Sequence, residues 1–154
     1  MSSIAVRPAI HVAVDGVATP LSRARARAVV EGVLRAEKVR RALVSVAFVG
    51  DRAITTLNAT HLGHRGPTDV ISFGFERPTP GDPVVGDIYI APRVAARNAR
   101  ARKVGVREEL TRLLVHGTLH VLGHDHPDDE EREHSAMWKR QERLVRRLSG
   151  TGAR

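Results

Sequence analysis

Residues 43–49 read Leu43-Val44-Ser45-Val46-Ala47-Phe48-Val49 and are closed by Gly50-Asp51. A short apolar, β-rich run ended by a turn pair reads as a buried strand. Upstream, Ile10-His11-Val12-Ala13-Val14 before Asp15-Gly16 reads as a first strand. Between the two, Thr19 is placed to cap a helix with Pro20 at its first position. Leu21, Ala24, Ala28, Val29, Val33 and Leu34 keep helical spacing to about Lys38. Downstream, Asp51 is placed to cap a short helix carrying Ile54, Leu57 and Asn58, which gives way to a loop over residues 61–68 broken by Pro67. Val70–Phe75 is a third strand, residues 77–85 with their three prolines a connection, and residues 87–91 a fourth strand in hairpin with the third. From Pro92 the pattern is helical, over 94–103, 107–122 and 129 to about 148. This order predicts an α+β fold, a small mixed four-stranded sheet packed by about five helices. One domain is expected over residues 1–149, with a loose tail at 150–154.

The chain has 154 residues, 42% of them hydrophobic and 27% charged, the balance of a soluble globular domain rather than a disordered chain. No apolar run approaches the roughly 18 to 20 residues that span a bilayer, and no secretory signal precedes the first strand, so a cytoplasmic protein without a membrane partner is expected. With no cysteine, thiol nucleophiles, disulfides and iron–sulfur clusters are excluded, and any metal must sit on His, Asp or Glu. Lys plus Arg is 25 against 17 Asp plus Glu, a net charge of +8 that is almost wholly arginine. Such a chain favours a polyanionic partner gripped through guanidinium forks. Arg23, Arg25, Arg27 and Arg35 on the first helix serve either phosphate or solvent. Aromatic residues are only 3%, which argues against a base-stacking platform and for phosphate contacts.

Chemistry concentrates at His116-Gly117-Thr118-Leu119-His120-Val121-Leu122-Gly123-His124-Asp125-His126. His116 and His120, four apart on a helix, place two imidazoles on one face. Gly123 can end the helix in a left-handed turn and bring His126 back to complete the set. Three neutral nitrogens with an open coordination position suit a catalytic zinc. The metal site is therefore expected on a helix of the C-terminal half and the loop after it. Asp125 either orients an imidazole through its free N–H or caps the loop. His124 and His134 read as solvent-facing. Zinc proteases with this spacing carry a glutamate directly after the first histidine as general base. Gly117 stands there, so peptide cleavage is the weaker reading, and phosphodiester chemistry suits both the metal and the charge.

The histidine string, Glu109-Leu110 and Leu113-Leu114-Val115 before it, the segment Pro67-Thr68-Asp69-Val70-Ile71-Ser72-Phe73 after Leu57-Asn58, and Gly86-Asp87-Ile88-Tyr89-Ile90 together resemble the YbeY family of bacterial ribosomal RNA maturation factors. The likeness covers roughly residues 40–145, with Met137, Gln141 and Glu142 also fitting. It implies a metal-dependent endoribonuclease of single-stranded RNA that matures the 16S 3′ end and serves ribosome quality control. The family's ligands carry over onto His116, His120 and His126, for one Zn2+ per chain. Implied partners are ribosomal RNA and the small ribosomal subunit, with an assembly GTPase or a small-subunit protein beside them.

One departure from the family concerns an arginine that many members carry in the loop after the Leu-Asn pair, where this chain has Leu62. His64 and Arg65 of the same loop are the catalytic candidates in its place. Arg65 or an arginine from another element holds the scissile phosphate, or the chain cuts weakly and acts as an assembly factor with a structural metal. Arg65 as plain loop surface is the alternative. Thr68-Asp69 and Gly86-Asp87, at strand edges, read as turn-capping rather than catalytic.

Overall fold

The computed structural model describes residues 7–126, 131 and 135–151. Strand β1 (Ala9–Asp15) leads through α1 (Arg23–Ala36) to β2 (Ala42–Val49). Helix α2 (Asp51–Leu57), extended by one π-helical turn over Asn58–Leu62, precedes β3 (Val70–Phe75) and β4 (Val84–Ile90). Helices α3 (Pro92–Arg102), α4 (Val106–Val121) and α5 (Ala136–Thr151) follow. The sheet order is β1-β2-β4-β3, with β1, β2 and β4 parallel and β3 antiparallel to β4. This is the expected α+β fold with a mixed four-stranded sheet and five helices.

Alternation along the strands decides what covers each face. Val44, Val46 and Phe48 of β2, with Ile88 and Ile90 of β4, enter the main core with Val29, Val33 and Leu34 of α1 and Leu110, Leu114 and Leu119 of α4. The opposite face holds a smaller cluster of Val49, Ile54, Ile71 and Ala91 beneath α2. Helix α4 is the centre of the molecule. Every residue from 113 to 119 is buried, and the helix touches α1, α3, α5, β3 and β4. Its second half, Leu113-Leu114-Val115 and Leu119 with only small or histidine side chains between, is buried on all sides, while the charged residues fall in its first turns at Arg107, Glu108, Glu109 and Arg112.

Two glycines set how closely α4 lies on the hairpin. A Cβ on Gly74 would meet the Val121 carbonyl oxygen at 2.9 Å, and one on Gly86 would meet the Val121 Cγ atoms at 2.4 and 2.6 Å and the Phe73 oxygen at 2.9 Å. Gly86→Ala should therefore cost about 1–3 kcal/mol of overpacking, read as a lowered midpoint in urea at unchanged slope. A wild-type midpoint would show that α4 can yield at that point.

Several local expectations are corrected. Ser22, not Thr19, caps α1. Its Oγ accepts from the Arg25 amide at 3.0 Å, because buried Leu21 must be placed before the helix opens, while Thr19 accepts the Leu21 amide at 3.4 Å. Gly50 is the residue that caps α2. Asp51 is its first helical residue, where a carboxylate favours the positive end of the helix and binds Arg97 at 3.2 Å. The π turn carries the chain to Leu62 before Gly63 ends it at φ 68°, and β4 begins at Val84 rather than at residue 87. Helix α5 opens where Ser135 Oγ accepts the Trp138 amide at 3.1 Å. Its expected first turns fall mostly outside the described residues. It runs to Thr151, two residues into the segment read as tail, because Leu148 packs against Gly32 and its carbonyl accepts from Arg25. Residues 152–154 lie outside the described residues.

Candidate metal centre

Helix α4 presents His116 and His120 one turn apart, and Leu122 and Gly123 then reverse the chain. Gly123 adopts φ 101°, its amide bonding the His120 carbonyl at 2.9 Å, while the His124 amide reaches Leu119 O at 3.0 Å. That turn returns His126 to the other two. The ring centroids stand 4.6 Å apart for His116 and His120, and 5.0 Å for each of them to His126. One ligand nitrogen from each histidine lies within 4.8 Å of the others. Three nitrogen donors drawn from one helix and the loop behind it can hold a single metal ion.

The tautomer of His116 follows from a chain of contacts. Arg112 grips Glu142 with both arms of its fork, Nε to Oε2 at 2.9 Å and an amino group to Oε1 at 3.0 Å. The Glu142 carboxylate accepts the Gln141 amide nitrogen at 3.0 Å, which turns the Gln141 oxygen toward His116 Nδ1 at 2.7 Å. An amide oxygen only accepts, so Nδ1 carries the proton and Nε2 keeps its lone pair for an ion. Burial pushes the Glu142 carboxyl up, but hydrogen bonds from Arg112 and Gln141 outweigh it and hold the group below the usual carboxylate range. Gln141→Leu should weaken metal affinity by about 10- to 100-fold, measured by competition with a chromogenic chelator. Unchanged affinity would remove Gln141 from the site.

The sequence reading missed this role, although its signal was present. Gln141 falls on the apolar stripe Met137, Leu144, Val145 and Leu148, and a polar side chain only 2% exposed on such a stripe needs a partner. Asp125 takes the capping geometry, its Oδ1 accepting the His126 amide at 2.9 Å. His124 does not face solvent freely. Its Nε2 meets Glu37 Oε1 at 2.6 Å, and Arg140 binds the other oxygen of the same carboxylate through Nε at 2.8 Å. The ligand loop is seated on the C-terminal end of α1, which brings His124 to Glu37. His134 lies outside the described residues.

Burial raises the Glu37 carboxyl, and its bonds to Arg140 and His124 more than reverse that, leaving it below 4.5. Glu37 and Glu142 thus both bind protons less readily folded than unfolded. Their stabilisation is present above about pH 4.5 and is lost as pH falls through the lowered folded values. The thermal midpoint should fall on acidification below that point, with a shallower slope in Glu142→Gln. An identical slope in the variant would exclude Glu142 as a contributor.

Gly117, where proteases place their glutamate, has a packing cause. A Cβ there would lie 2.8 Å from Ile88 Cγ2. The position faces the sheet, so a longer side chain would lift the helix and not reach the metal side.

His120 also lines an open groove of about 720 Å³ between residues 74–80 and the turn after α4. Phe75, 55% exposed, and Arg77 stand on its other wall. His64 and Arg65 are exposed, on a loop tied by the Asn58 amide to Gly66 O at 2.9 Å. His61 of that loop meets Phe73 edge-on, and His64 is not among the three converging histidines. Leu62 is 46% exposed. Asp69 accepts from Asn98 at 3.1 Å, a structural tie of the kind expected at a strand edge.

A model of the endoribonuclease YbeY family matches residues 15–149. The chain belongs to the YbeY family. Among its YbeY relatives, an endoribonuclease YbeY of Frankia casuarinae is 37% identical, over 92% of this chain and 75% of its own length. One of Syntrophus aciditrophicus is 36% identical over 79% and 78%. The solution structure of a Thermotoga maritima protein superposes with a TM-score of 0.63 at 25% identity, covering 92% of this chain and 90% of that one. Membership of the YbeY family places the three histidines in an endoribonuclease scaffold rather than a protease one.

Proposed function

We propose that this chain is a zinc-dependent, single-strand-specific endoribonuclease of the cytoplasm. It matures the 3′ end of 16S ribosomal RNA and serves ribosome quality control, with His116, His120 and His126 holding one Zn2+ per chain. The observation that carries the reading is the convergence of three imidazoles beside an open groove, in a chain of net charge +8. An all-nitrogen donor set without cysteine suits zinc. When bound, the ion supplies Lewis acidity that offsets charge on a phosphoryl oxygen and brings the ionisation of water toward neutral pH. The chain's own part is positional. Gln141 fixes the His116 ring, Gly123 and Asp125 shape the loop that carries His126, and the groove beside His120 admits a strand. Arg65 is the candidate cation for the scissile phosphate, with His64 beside it. Both nucleophiles, water and the RNA 2′-hydroxyl, fit this arrangement. Among the described residues no helix is long and apolar enough to cross a membrane.

One observation favours a second reading, in which the chain is chiefly a ribosome-assembly factor with a structural metal. Leu62 stands exposed at the loop position where the resemblance to the family implies an arginine. The deciding experiment measures metal content of untagged protein together with cleavage of a single-stranded RNA spanning the 16S 3′ end, with and without chelator. Zinc near one per chain with chelator-sensitive cutting supports the nuclease. Zinc without cutting, and retained binding to small subunits or to an assembly GTPase, supports the assembly factor.

A further inference from the structure

The register puts Ala9, Leu43, Val85 and Phe75 in one row across the sheet. The starts of the three parallel strands and the end of β3 therefore share one edge of the molecule. Helix α1 ends at this edge because it leads into β2. Helix α4 ends there too, with Val121 against Gly74 and Gly86. The metal centre and its groove thus occupy the same end of the sheet as the chain between α1 and β2.

A second cavity of about 720 Å³ opens at that end, lined by Arg7, Arg35, Lys38 and Arg40 with Glu31 as its one acid. The arginines elsewhere show what bound ones look like. Arg112 and Arg140 sit in carboxylate clusters, Arg97 pairs with Asp51, and Arg27 and Arg107 donate to carbonyls. Among the described residues, none of the four cavity cations has an ion pair, and all four are exposed. A single cation would suffice for the negative end of α1. Four cations around one concavity make a field that selects polyanions. Arg41, next in the chain to the cavity's Arg40, donates from its guanidinium to Gly81 O at 2.8 Å and accepts the Val84 amide at 3.0 Å, which ties the residue after the groove wall's Pro80 to the chain beside the cavity. Arg77 then stands at the groove wall near His120. Three strand gaps of roughly 4.8 Å, about 14 Å in all, separate the two edges of the sheet, the reach of about two or three nucleotides of extended strand.

We propose that this end of the sheet is a phosphate track for single-stranded RNA. It runs from the metal groove past Arg77 to an anchoring site made by Arg7, Arg35, Lys38 and Arg40. The proposal rests on the endoribonuclease reading for its ligand, not for its location. The anchor holds the strand at a distance from the cut, so that affinity rises with RNA length while the metal groove handles the reacting phosphate.

The test compares two triple variants of equal charge loss by fluorescence anisotropy, with zinc chelated so that nothing is cut. One is Arg35→Gln, Lys38→Gln and Arg40→Gln. The other, at the opposite end of the sheet, is Arg23→Gln, Arg52→Gln and Arg93→Gln. Probes are RNAs of about 2 and about 12 nucleotides, the shorter too short to reach both the metal groove and the anchoring site and the longer within common single-strand site sizes. The track variant should lose the preference for the longer RNA, and its slope of log affinity against log salt should shrink by about 2. The control variant should keep both. Restoring the three positions as lysine should recover the slope. Equal losses in both variants would reduce the effect to bulk charge and overturn the track. An unchanged track variant would overturn it as well, leaving the cations to an acidic protein surface. Failure of the native protein to cut RNA would sink the nuclease reading alone, because the binding measurement does not depend on cutting.

Discussion

His120→Ala is expected to retain the wild-type circular dichroism spectrum, lose zinc affinity by more than about 100-fold, and abolish chelator-sensitive RNA cleavage. The magnitude exceeds the 10- to 100-fold typical of losing a group that only orients a ligand, because a donor itself is removed. His120 is the informative choice of the three. His116 is 8% exposed and bonded to Gln141, so its truncation would also open a cavity and strand an amide. His120 is half-buried and lines the groove, and its loss falls on the metal rather than on the core. Full zinc with full cleavage in this variant would remove the three-histidine assignment.

Arg112→Met is expected to be the most destabilising change outside the apolar core. Arg112 is the hub for Glu108 at 3.1 Å, Glu109 at 3.0 Å and Glu142 at 2.9 Å, and Glu109 is only 2% exposed. The bonds to these carboxylates, Glu142 foremost, raise the Arg112 pKa above its ordinary value despite burial, so the cation is bound firmly. Removing it leaves half-buried Glu142 without its two-armed partner and buried Glu109 with only the longer contact to Arg102 at 3.8 Å, at a cost of about 3–5 kcal/mol. For a domain of this length that lowers the melting midpoint by roughly 6–20 °C. Removing both partners is milder, so Arg112→Met with Glu142→Met should be more stable than Arg112→Met alone. A double variant that is no better would show that Arg112 acts by packing. Because Glu142 orients Gln141, the single variant should also lose zinc affinity at temperatures where it remains folded.

The strands and the histidine cluster were legible because their causes are local. β2 announced itself as an apolar run, and His116, His120 and Gly123 are spaced as one helix face and its ending. Where the reading slipped, the cause was tertiary. Val84 and Val85 read as the end of the proline-rich connection, and Gly86 as a turn before the strand. Gly86 is there to admit α4 at its Val121 contact. The cap of α1 moved to Ser22 because Leu21 had first to be buried. The partnership of His124 with Glu37 spans 87 positions in the chain, and no periodicity reports a contact of that range. Gln141 was visible as a polar residue on an apolar stripe, but its partner could be known only from the packing of α5 on α4. The basic cavity was invisible for the same reason. Arg35, Lys38 and Arg40 are near neighbours in the chain, but Arg7 joins them only through the parallel pairing of β1 with β2.

The complete burial of residues 113–119 has a consequence for hydrogen exchange. Amides in the middle of α4 have no neighbouring element that can peel away and admit water, so they should exchange only when the whole domain opens. Their exchange free energy then equals the global stability, and an ion bound at His116 and His120 should raise it by its full linkage contribution. The turn from Gly123 to His126 lies at the exposed end of that helix and should exchange through small local openings. A slow set of α4 amides beside a fast set in the turn would let one experiment weigh the fold and the loop separately.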